Sequence, residues 1–157
     1  MFIKTSETSL SSKHPIAYID IRTFAHATED TEKVQTAIHN IFPTETINTI
    51  TFEKSNLNGH HGNPITLLQT RIKDQNTIQT FIQKLSTSLS ILDKQLLNDE
   101  ITQHLDKATL YLRIDKQAAY QNQLELNTTD TIHIKIHFKN SNPKEIIETL
   151  KKLGILP

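Results

Sequence analysis

Residues 131–138 alternate strictly between apolar and polar side chains, and this pattern constrains the fold more than any other stretch. Isoleucine or phenylalanine fills every even position from 132 to 138, and threonine, histidine or lysine fills every odd one. Such alternation is typical of a β-strand that buries one face and exposes the other. The segments 16–24 and 108–114 alternate in the same way. We therefore predict a sheet with one apolar face and one polar face.

Helical patterns separate these strands. Apolar residues recur at helical spacing in segments that begin at Thr28, after Asp74, around 93–104 and after Pro143. Two further strands are predicted at residues 47–53 and 65–72. The resulting order, βαββα(α)ββα, predicts an α+β fold with a single, mostly antiparallel sheet and helices packed on one face.

The chain has 157 residues, which suits one domain. Residues 1–14 are polar and aperiodic, so we predict a flexible N-terminal arm before a single domain at 15–157. The absence of cysteine excludes disulfides and thiolate metal sites and fits a reducing compartment. No stretch is apolar enough for a signal peptide or a membrane span. We therefore expect a cytoplasmic protein.

Charge by itself points to no partner, because 17 basic and 17 acidic residues cancel. Any attraction to phosphate must therefore come from a local arrangement of cations. Only three of the basic residues are arginines, Arg22, Arg71 and Arg113, and each falls in a predicted strand. A guanidinium group offers a planar fork for phosphate, carboxylate or stacking contacts that an ammonium group lacks.

The polar face of the predicted sheet is the first candidate site. Tyrosine, arginine, histidine and lysine share its parity, and these types suit the stacking of bases and the binding of phosphates. A solvated face, or a face that pairs with a second subunit, explains the same pattern. The residues with this parity are Tyr18, Asp20, Arg22, Tyr111, Arg113, His133, Lys135 and His137.

The segment Gly59-His60-His61-Gly62-Asn63-Pro64 is the second candidate site. It contains two of the three glycines of the chain, which indicates positive φ angles or a close backbone approach. Histidines held in such a loop could donate hydrogen bonds to phosphate or sugar oxygens. The alternative is a simple turn between two strands.

Metal binding and catalysis find no support in the spacing of the residues. His133 and His137 share a strand face but lie about 13 Å apart at the usual rise, too far to chelate one ion. No carboxylate accompanies the adjacent pair in the glycine-rich loop. Asp20 and Asp115 have arginine or lysine neighbours, which favours salt bridges over an acid–base pair. We predict no metal site, no cofactor and no catalytic residue.

Three segments of the chain resemble a known family. They are RTFAHATEDTEKV (22–34), GHHGNPI (59–65) and YLRIDKQAAY (111–120). Over residues 15–139 their order and spacing are similar to those of an archaeal family of predicted exosome-associated RNA-binding proteins. The resemblance implies a fold like that of ribosomal protein L-five, an antiparallel sheet flanked by helices. It also implies association with RNA and with the exosome.

The last of these segments adds a third candidate site. Lys116, Gln117 and Tyr120 follow a strand and are predicted to lie in a turn at the sheet edge, where they suit contacts with RNA backbone and bases. A capped turn with Tyr120 packed inward is the alternative. The predicted RNA contacts are Arg22, His60, His61, Asn63, Arg71, Arg113, Lys116, Gln117, Tyr120, His133 and Lys135.

These patterns together predict a protein that binds RNA without catalysing a reaction. The expected partner is structured or ribosomal RNA, together with components of the exosome or the ribosome. The alternative is a protein–protein adapter that docks on a ribonucleoprotein complex, or a homodimer that forms through the sheet face.

Overall fold

The alternating segments form neighbouring strands of one sheet in the computed structural model, which describes residues 14–59 and 62–157. The six strands lie in the spatial order β2-β3-β1-β6-β5-β4, and every neighbouring pair is antiparallel. The strands are β1 (Ile16–Ala25), β2 (Glu53–Asn58), β3 (Pro64–Ile72), β4 (Leu105–Asp106), β5 (Thr109–Asp115) and β6 (Thr131–Phe138).

Capping residues set the ends of the longer helices. Asp74 and Asn142 each accept a hydrogen bond from a backbone N–H in the first turn of their helix. Gly154 ends the last helix with a φ of 82°, a left-handed conformation that favours glycine. None of the helices in the described part of the chain is long and apolar enough to cross a lipid bilayer. The helices are α1 (Thr31–Asn40), α2 (Gln75–Ser88), α3 (Ile91–Asp99), α4 (Ile101–His104), α5 (Lys116–Tyr120) and α6 (Pro143–Leu153).

The core lies between one face of the sheet and the helices. Ile19 and Ile21 of β1 and Ile134 and Ile136 of β6 are fully buried at its centre. Buried apolar stripes of α1, α2 and α6 join the same cluster. Each fully buried isoleucine or leucine contributes about 1.5–3 kcal/mol through loss of water contact. The predicted α+β fold, a single antiparallel sheet with helices packed on one face, is confirmed.

One strand was predicted in the wrong place. Residues 47–53 contain a short 3₁₀ turn at Ile47–Thr49, and β2 begins only at Glu53. Most side chains of β2 are exposed on both faces because it is an edge strand with a single neighbour, β3. Such a strand has no apolar alternation to reveal it. Its position follows instead from its pairing with β3, in which Asn58 stands opposite Pro64.

The start of α1 differs from its prediction, and two other predicted segments fall outside the described residues. Helix α1 begins after Asp30, which caps it by accepting the N–H of Glu32, and not at Thr28. A turn fills the intervening residues, in which the Glu29 N–H donates to the His26 carbonyl. The predicted flexible arm, except for His14, and the loop residues His60 and His61 lie outside the described residues.

The outer edge of β5 is covered along part of its length. At one end it pairs with β4, and at the other the Asp115 N–H donates to the Glu125 carbonyl and the Asn127 N–H to the Arg113 carbonyl. These bonds satisfy backbone groups that an edge strand would leave open. The Asp93 carboxylate of α3 accepts the Leu126 N–H at 3.0 Å, which ties α3 to this edge. Helix α3 therefore lies beside the sheet and close to its polar face.

Candidate nucleic-acid interface

The polar face of the sheet, opposite the helices, brings together three of the predicted residues from three adjacent strands. Arg22 of β1 stands opposite His133 of β6, which stands opposite Arg113 of β5. Directly opposed residues of an antiparallel pair have Cβ atoms about 5 Å apart. Arg22, His133 and Arg113 thus form a continuous row across the sheet, and we call them the cationic row.

The two arginines of the cationic row are available to a ligand. Both side chains are exposed, and neither has an ion pair with any described residue. His133 between them is partly buried. Burial lowers the pKa of His133, and the charges of Arg113, Arg22 and Lys135 lower it further. The imidazole is therefore neutral at neutral pH and can accept or donate one hydrogen bond.

A second row runs beside the first and contains the predicted contacts Arg71 and Lys135. Arg71 donates two hydrogen bonds to the carboxylate of Asp20, at 2.6 and 2.9 Å. Its charge is therefore compensated within the protein. Lys135 stands opposite Asp20 on one side and Tyr111 on the other, and its Nζ lies 5.6 Å from the centre of the Tyr111 ring. No carboxylate among the described residues forms an ion pair with Lys135.

The Asp20 carboxylate and its neighbours form a rigid end to this face. Burial raises the pKa of Asp20, but the hydrogen bonds and charges of Arg71 and His137 lower it by more, so the net pKa lies below its ordinary value. His137 stacks on Tyr18 with ring centres 4.1 Å apart, and the Arg71 guanidinium lies 4.2 Å from the same tyrosine ring. This cluster fixes the side chains around Lys135 and leaves little freedom for Arg71.

Two open depressions flank β6 and meet at His133 and Lys135, which line both of them. The first has a volume of about 480 Å³ and lies toward β3, where Gln69 and Arg71 line it. The second has a volume of about 380 Å³ and lies toward β5 and α3. Both volumes fall in the range of roughly 300–1,000 Å³ that is usual for ligand sites.

Lys116 lies elsewhere, among the helices. The structure places it at the start of the short helix α5, not in the predicted turn, and its side chain is only 4% exposed. Its Nζ donates to the Phe24 carbonyl at 2.7 Å and forms ion pairs with Asp130 at 2.7 Å and Glu29 at 3.1 Å. An RNA contact by Lys116 stays a prediction that would require its amine to leave these partners.

A group of potential metal ligands surrounds the same amine. One ligand atom each of His26, Glu29 and Asp130 lies within 4.8 Å of the others. The Lys116 amine already bonds to both carboxylates. The arrangement is therefore accounted for as an ion-pair network that ties α5 to the turn before α1.

Gln117 and Tyr120 are exposed on α5, and Tyr120 is not packed inward. Helix α5 packs against α1, where Asn40 donates its side-chain N–H to the Ala119 carbonyl at 2.9 Å. The Lys33 Nζ lies 5.9 Å from the Tyr120 ring. These residues form a small surface of their own, and the structure does not bring them together with the cationic row.

Asn63 lies in the turn between β2 and β3. Its carbonyl accepts the Gly59 N–H at 2.7 Å. Gly62 has a φ of 77°, and a Cβ on Gly59 would come within 2.3 Å of the Ile65 side chain, so both glycines meet the geometric need that the sequence suggested. The turn lies five residues along β3 from Gln69, about 17 Å from the cationic row at the usual rise.

The family of the chain follows from comparison with known proteins. The sequence model of a family described as RNA binding matches residues 18–138, from the first strand to the last. The chain belongs to this RNA-binding family. Its matched range includes the cationic row, Lys135 and both depressions, and it leaves out α6.

Individual relatives agree with this family assignment. The RNA-binding protein PAB1135 of Pyrococcus abyssi is 38% identical over 124 residues, which cover 77% of this chain and 80% of that protein. Protein AF2318 of Archaeglobus fulgidus is 29% identical, with a TM-score of 0.75 over 88% of this chain and 99% of the other. Mth689 of Methanothermobacter thermautotrophicus, a DUF54 protein, is 29% identical, with a TM-score of 0.72 over 88% and 98%.

The predicted membership of an archaeal RNA-binding family is thus confirmed. Its predicted link to the exosome and its likeness to ribosomal protein L-five stay predictions.

Several residues that line the second depression were not predicted from the sequence. Leu96 of α3, Gln103 of α4 and Asn127 line it together with Tyr111. Leu96 is separated from Tyr111 in the sequence by the end of α3, by α4 and by β4, and no local pattern indicates that α3 lies at the edge of β5. Strand parity alone therefore does not identify all the side chains at the polar face of this protein.

Proposed function

We propose that this member of the RNA-binding family binds RNA through the polar face of its sheet and catalyses no reaction. One observation carries the proposal: Arg22, Arg113 and Lys135 lie together on this face and form no ion pair with any carboxylate that the structure describes, in a chain whose net charge is zero. Uncompensated arginines on adjacent strands suit the phosphate groups of a nucleic acid. The similarity to PAB1135, which is named an RNA-binding protein, supports the same function.

In this proposal the predicted contacts have different roles. The cationic row and Lys135 would contact phosphates directly. Arg71, held by Asp20, would act mainly by stacking and by fixing the face. Gln117 and Tyr120 on α5, and Asn63 with His60 and His61 in the β2–β3 turn, would be separate outer contacts for an RNA large enough to reach them.

The cellular setting belongs to the same proposal. We place the protein in the cytoplasm, in RNA processing or degradation with the exosome, or on ribosomal RNA. The family resemblance of its three motifs supports the exosome link. An extended face with further proposed contacts on α5 and in the β2–β3 turn supports a structured RNA over a short oligonucleotide.

Fluorescence anisotropy across a salt series tests the function directly. Each phosphate contact lowers the logarithm of affinity by roughly 0.7 to 0.9 per logarithmic unit of salt. Loss of two contacts in Arg22→Ala/Arg113→Ala should weaken binding and reduce this slope by about 1.5. The matched control is Lys144→Ala/Lys151→Ala, which removes two exposed cations of α6, outside the family match.

Equal salt slopes for the two double variants would show that Arg22 and Arg113 of the sheet face do not contact the phosphates of the RNA. Absence of RNA binding at low salt would remove the RNA function itself. In the same titrations, Gln117→Ala/Tyr120→Ala reports whether the surface on α5 is a contact.

A second candidate function, a protein–protein adapter, rests on one feature of α3. Ile91 and Leu92 are 71% and 77% exposed, a high value for adjacent large apolar residues. An apolar contact of this kind depends little on salt. Ile91→Ser/Leu92→Ser should abolish binding to a protein partner and leave the RNA salt slope unchanged if both functions exist.

A further inference from the structure

The second depression of the polar face, on the side of α3, has a chemistry that differs from that of the cationic row beside it. We call it the α3 groove. The Leu96 and Leu126 side chains are among its apolar parts, and both are at least partly exposed. Tyr111, which is 38% exposed, provides an aromatic ring at the same place. The residues that matter here are Leu96, Gln103, Tyr111, Leu126, Asn127 and His133.

The polar lining of the α3 groove combines one carboxylate, Glu100, which lies 3.6 Å from the His104 ring, with several uncharged hydrogen-bonding groups. Gln103 and Asn127 carry amides that both donate and accept, and His133 is kept neutral by its lowered pKa. The Asn127 amide also donates to Asp115 at 2.5 Å, which holds its orientation. A flat aromatic ring with donors and acceptors on its edge matches this combination of apolar wall and neutral hydrogen-bonding groups. A nucleobase is such a ring.

Cations adjoin the groove on the side of the sheet. Arg113 and Lys135 line it directly, and Arg22 is the next residue of the cationic row. The Lys135 Nζ already lies near the face of the Tyr111 ring. A base in the groove would therefore leave its own phosphate beside Arg113 and Lys135, which form no ion pair with a carboxylate of residues 14–59 or 62–157.

We propose that the α3 groove holds one unpaired nucleobase, so that the RNA partner must present a single-stranded or looped-out nucleotide at the polar face. This inference rests on the proposed function, whose ligand class it narrows. A base-paired A-form helix buries its bases in the stack and offers mainly phosphates and sugar hydroxyls. Such a helix would contact the cationic row and leave Tyr111, Leu96 and the amides of the groove without a ligand.

Two RNAs of equal length and charge separate this inference from general RNA binding. One is a hairpin with an unpaired loop, and the other is a fully paired duplex. The hairpin should bind about tenfold more tightly than the duplex, since stacking of one base on an aromatic side chain has an effect of that order. Equal affinity would overturn the inference and leave the proposed function intact. Failure of both RNAs to bind would overturn both.

Substitutions in the α3 groove test whether the unpaired base binds there. Tyr111→Ala should reduce the preference for the hairpin to about twofold or less, and Tyr111→Phe, which keeps the ring, should restore it. Leu96→Ala should also reduce it, whereas Leu92→Ala, one turn earlier on the same helix and outside the groove, is the matched control. A preference for the hairpin that survives Tyr111→Ala and Leu96→Ala would place the base elsewhere and overturn the assignment.

A fluorescent base analogue in the loop gives a reading that does not depend on affinity. Its emission should be quenched at saturating wild-type protein and at saturating Tyr111→Phe, because a stacked base loses fluorescence. Saturating Tyr111→Ala should leave it bright. Quenching of the same size by Tyr111→Ala would count against the groove.

Discussion

The arginines of the polar face differ in availability because of the residues that stand opposite them. Arg71 stands opposite Asp20 and is held by it. Arg22 stands opposite Gln69 and His133, neither of which carries a negative charge at neutral pH. Strand parity predicted that Arg22 shares a face with Asp20 and His133, and it assigned no face to Arg71. It could not predict which arginine is neutralised, because that depends on the register between strands far apart in the sequence.

Lys116 was harder to place from its sequence. A lysine after a strand and before a short apolar stretch looks like an exposed turn residue. Its carboxylate partner Glu29 is 87 positions away, and Asp130 lies beyond α5 on the other side. Only the packing of α5 on α1 brings these groups together, so the sequence offered no local signal of a buried amine.

Substitution of Lys116 should therefore affect folding more than RNA contacts. Lys116→Met removes the donor to the Phe24 carbonyl and leaves two carboxylates close together. Allowing for the partial exposure of Glu29 and Asp130, we expect a loss of about 1–3 kcal/mol in the free energy of unfolding. Urea denaturation measures this loss. Lys73→Met, an exposed lysine, is the control and should change stability by less than about 0.5 kcal/mol.

A loss no larger than that of the control would show that the ion pairs of Lys116 contribute nothing. A loss of RNA affinity at unchanged stability would instead support its predicted RNA contact.

His133 should make RNA binding depend on pH. Its pKa in the free protein is lowered by burial and then by Arg113, Arg22 and Lys135. A phosphate on the cationic row would oppose these charges and raise that pKa, so binding should take up a proton. Affinity should therefore increase as pH falls through the raised pKa of the complex toward the lowered pKa of the free protein. Anisotropy titrations at constant salt measure it.

The controls for this pH effect are two substitutions. His133→Gln should remove most of the dependence, and His39→Gln should keep it, because His39 lies on α1. The folded free protein should show the opposite trend in stability. The unfolded imidazole binds its proton near the ordinary value of 6.5, above the lowered folded pKa, so stability falls as pH drops below 6.5. Affinity that is flat with pH would exclude His133 from the phosphate site.

At the level of elements, alternation predicted the strands that matter most for function. β1, β5 and β6 each bury one face and expose the other, and their positions were predicted to within about one residue. β2 was predicted in the wrong place because both of its faces are largely exposed. The position of α3 relative to the sheet was not predicted either, since it depends on tertiary contacts, among them the burial of Leu97 in the core and the hydrogen bond from the Leu126 N–H to Asp93.

That hydrogen bond is open to a direct test. Asp93→Ala removes the acceptor of the Leu126 N–H and should cost about 1 kcal/mol of stability. Hydrogen exchange of the Leu126 amide should become faster, and the preference for an unpaired nucleotide should weaken as the wall of the α3 groove loosens. Asp93→Asn keeps an oxygen in place and is the control. Unchanged exchange at Leu126 in Asp93→Ala would show that α3 is held by its apolar contacts alone.

For the whole molecule, zero net charge still allows a local grouping of cations. Arg22, Arg113 and Lys135 of the polar face form no ion pair within the described residues, although Asp20, Glu53 and Glu100 line the depressions beside them. Glu29 and Asp130 are instead paired with Lys116 near the start of α1. Cations grouped in this way would favour the approach of a polyanion to the polar face. A homodimer through the same face would place Arg22, Arg113 and Lys135 of two copies near each other, which opposes self-association in the absence of RNA.

The centre of the sheet joins the two ends of the polypeptide. Thr23 of β1 bonds to the Thr131 carbonyl at the start of β6, 108 positions later. β1 can pair with β3 as soon as residues 64–72 have been made, but its second neighbour, β6, begins only at Thr131. Closing a loop of this length is slow. Because Arg22 and Arg113 become neighbours only through β6, the cationic row is incomplete until this strand has joined the sheet.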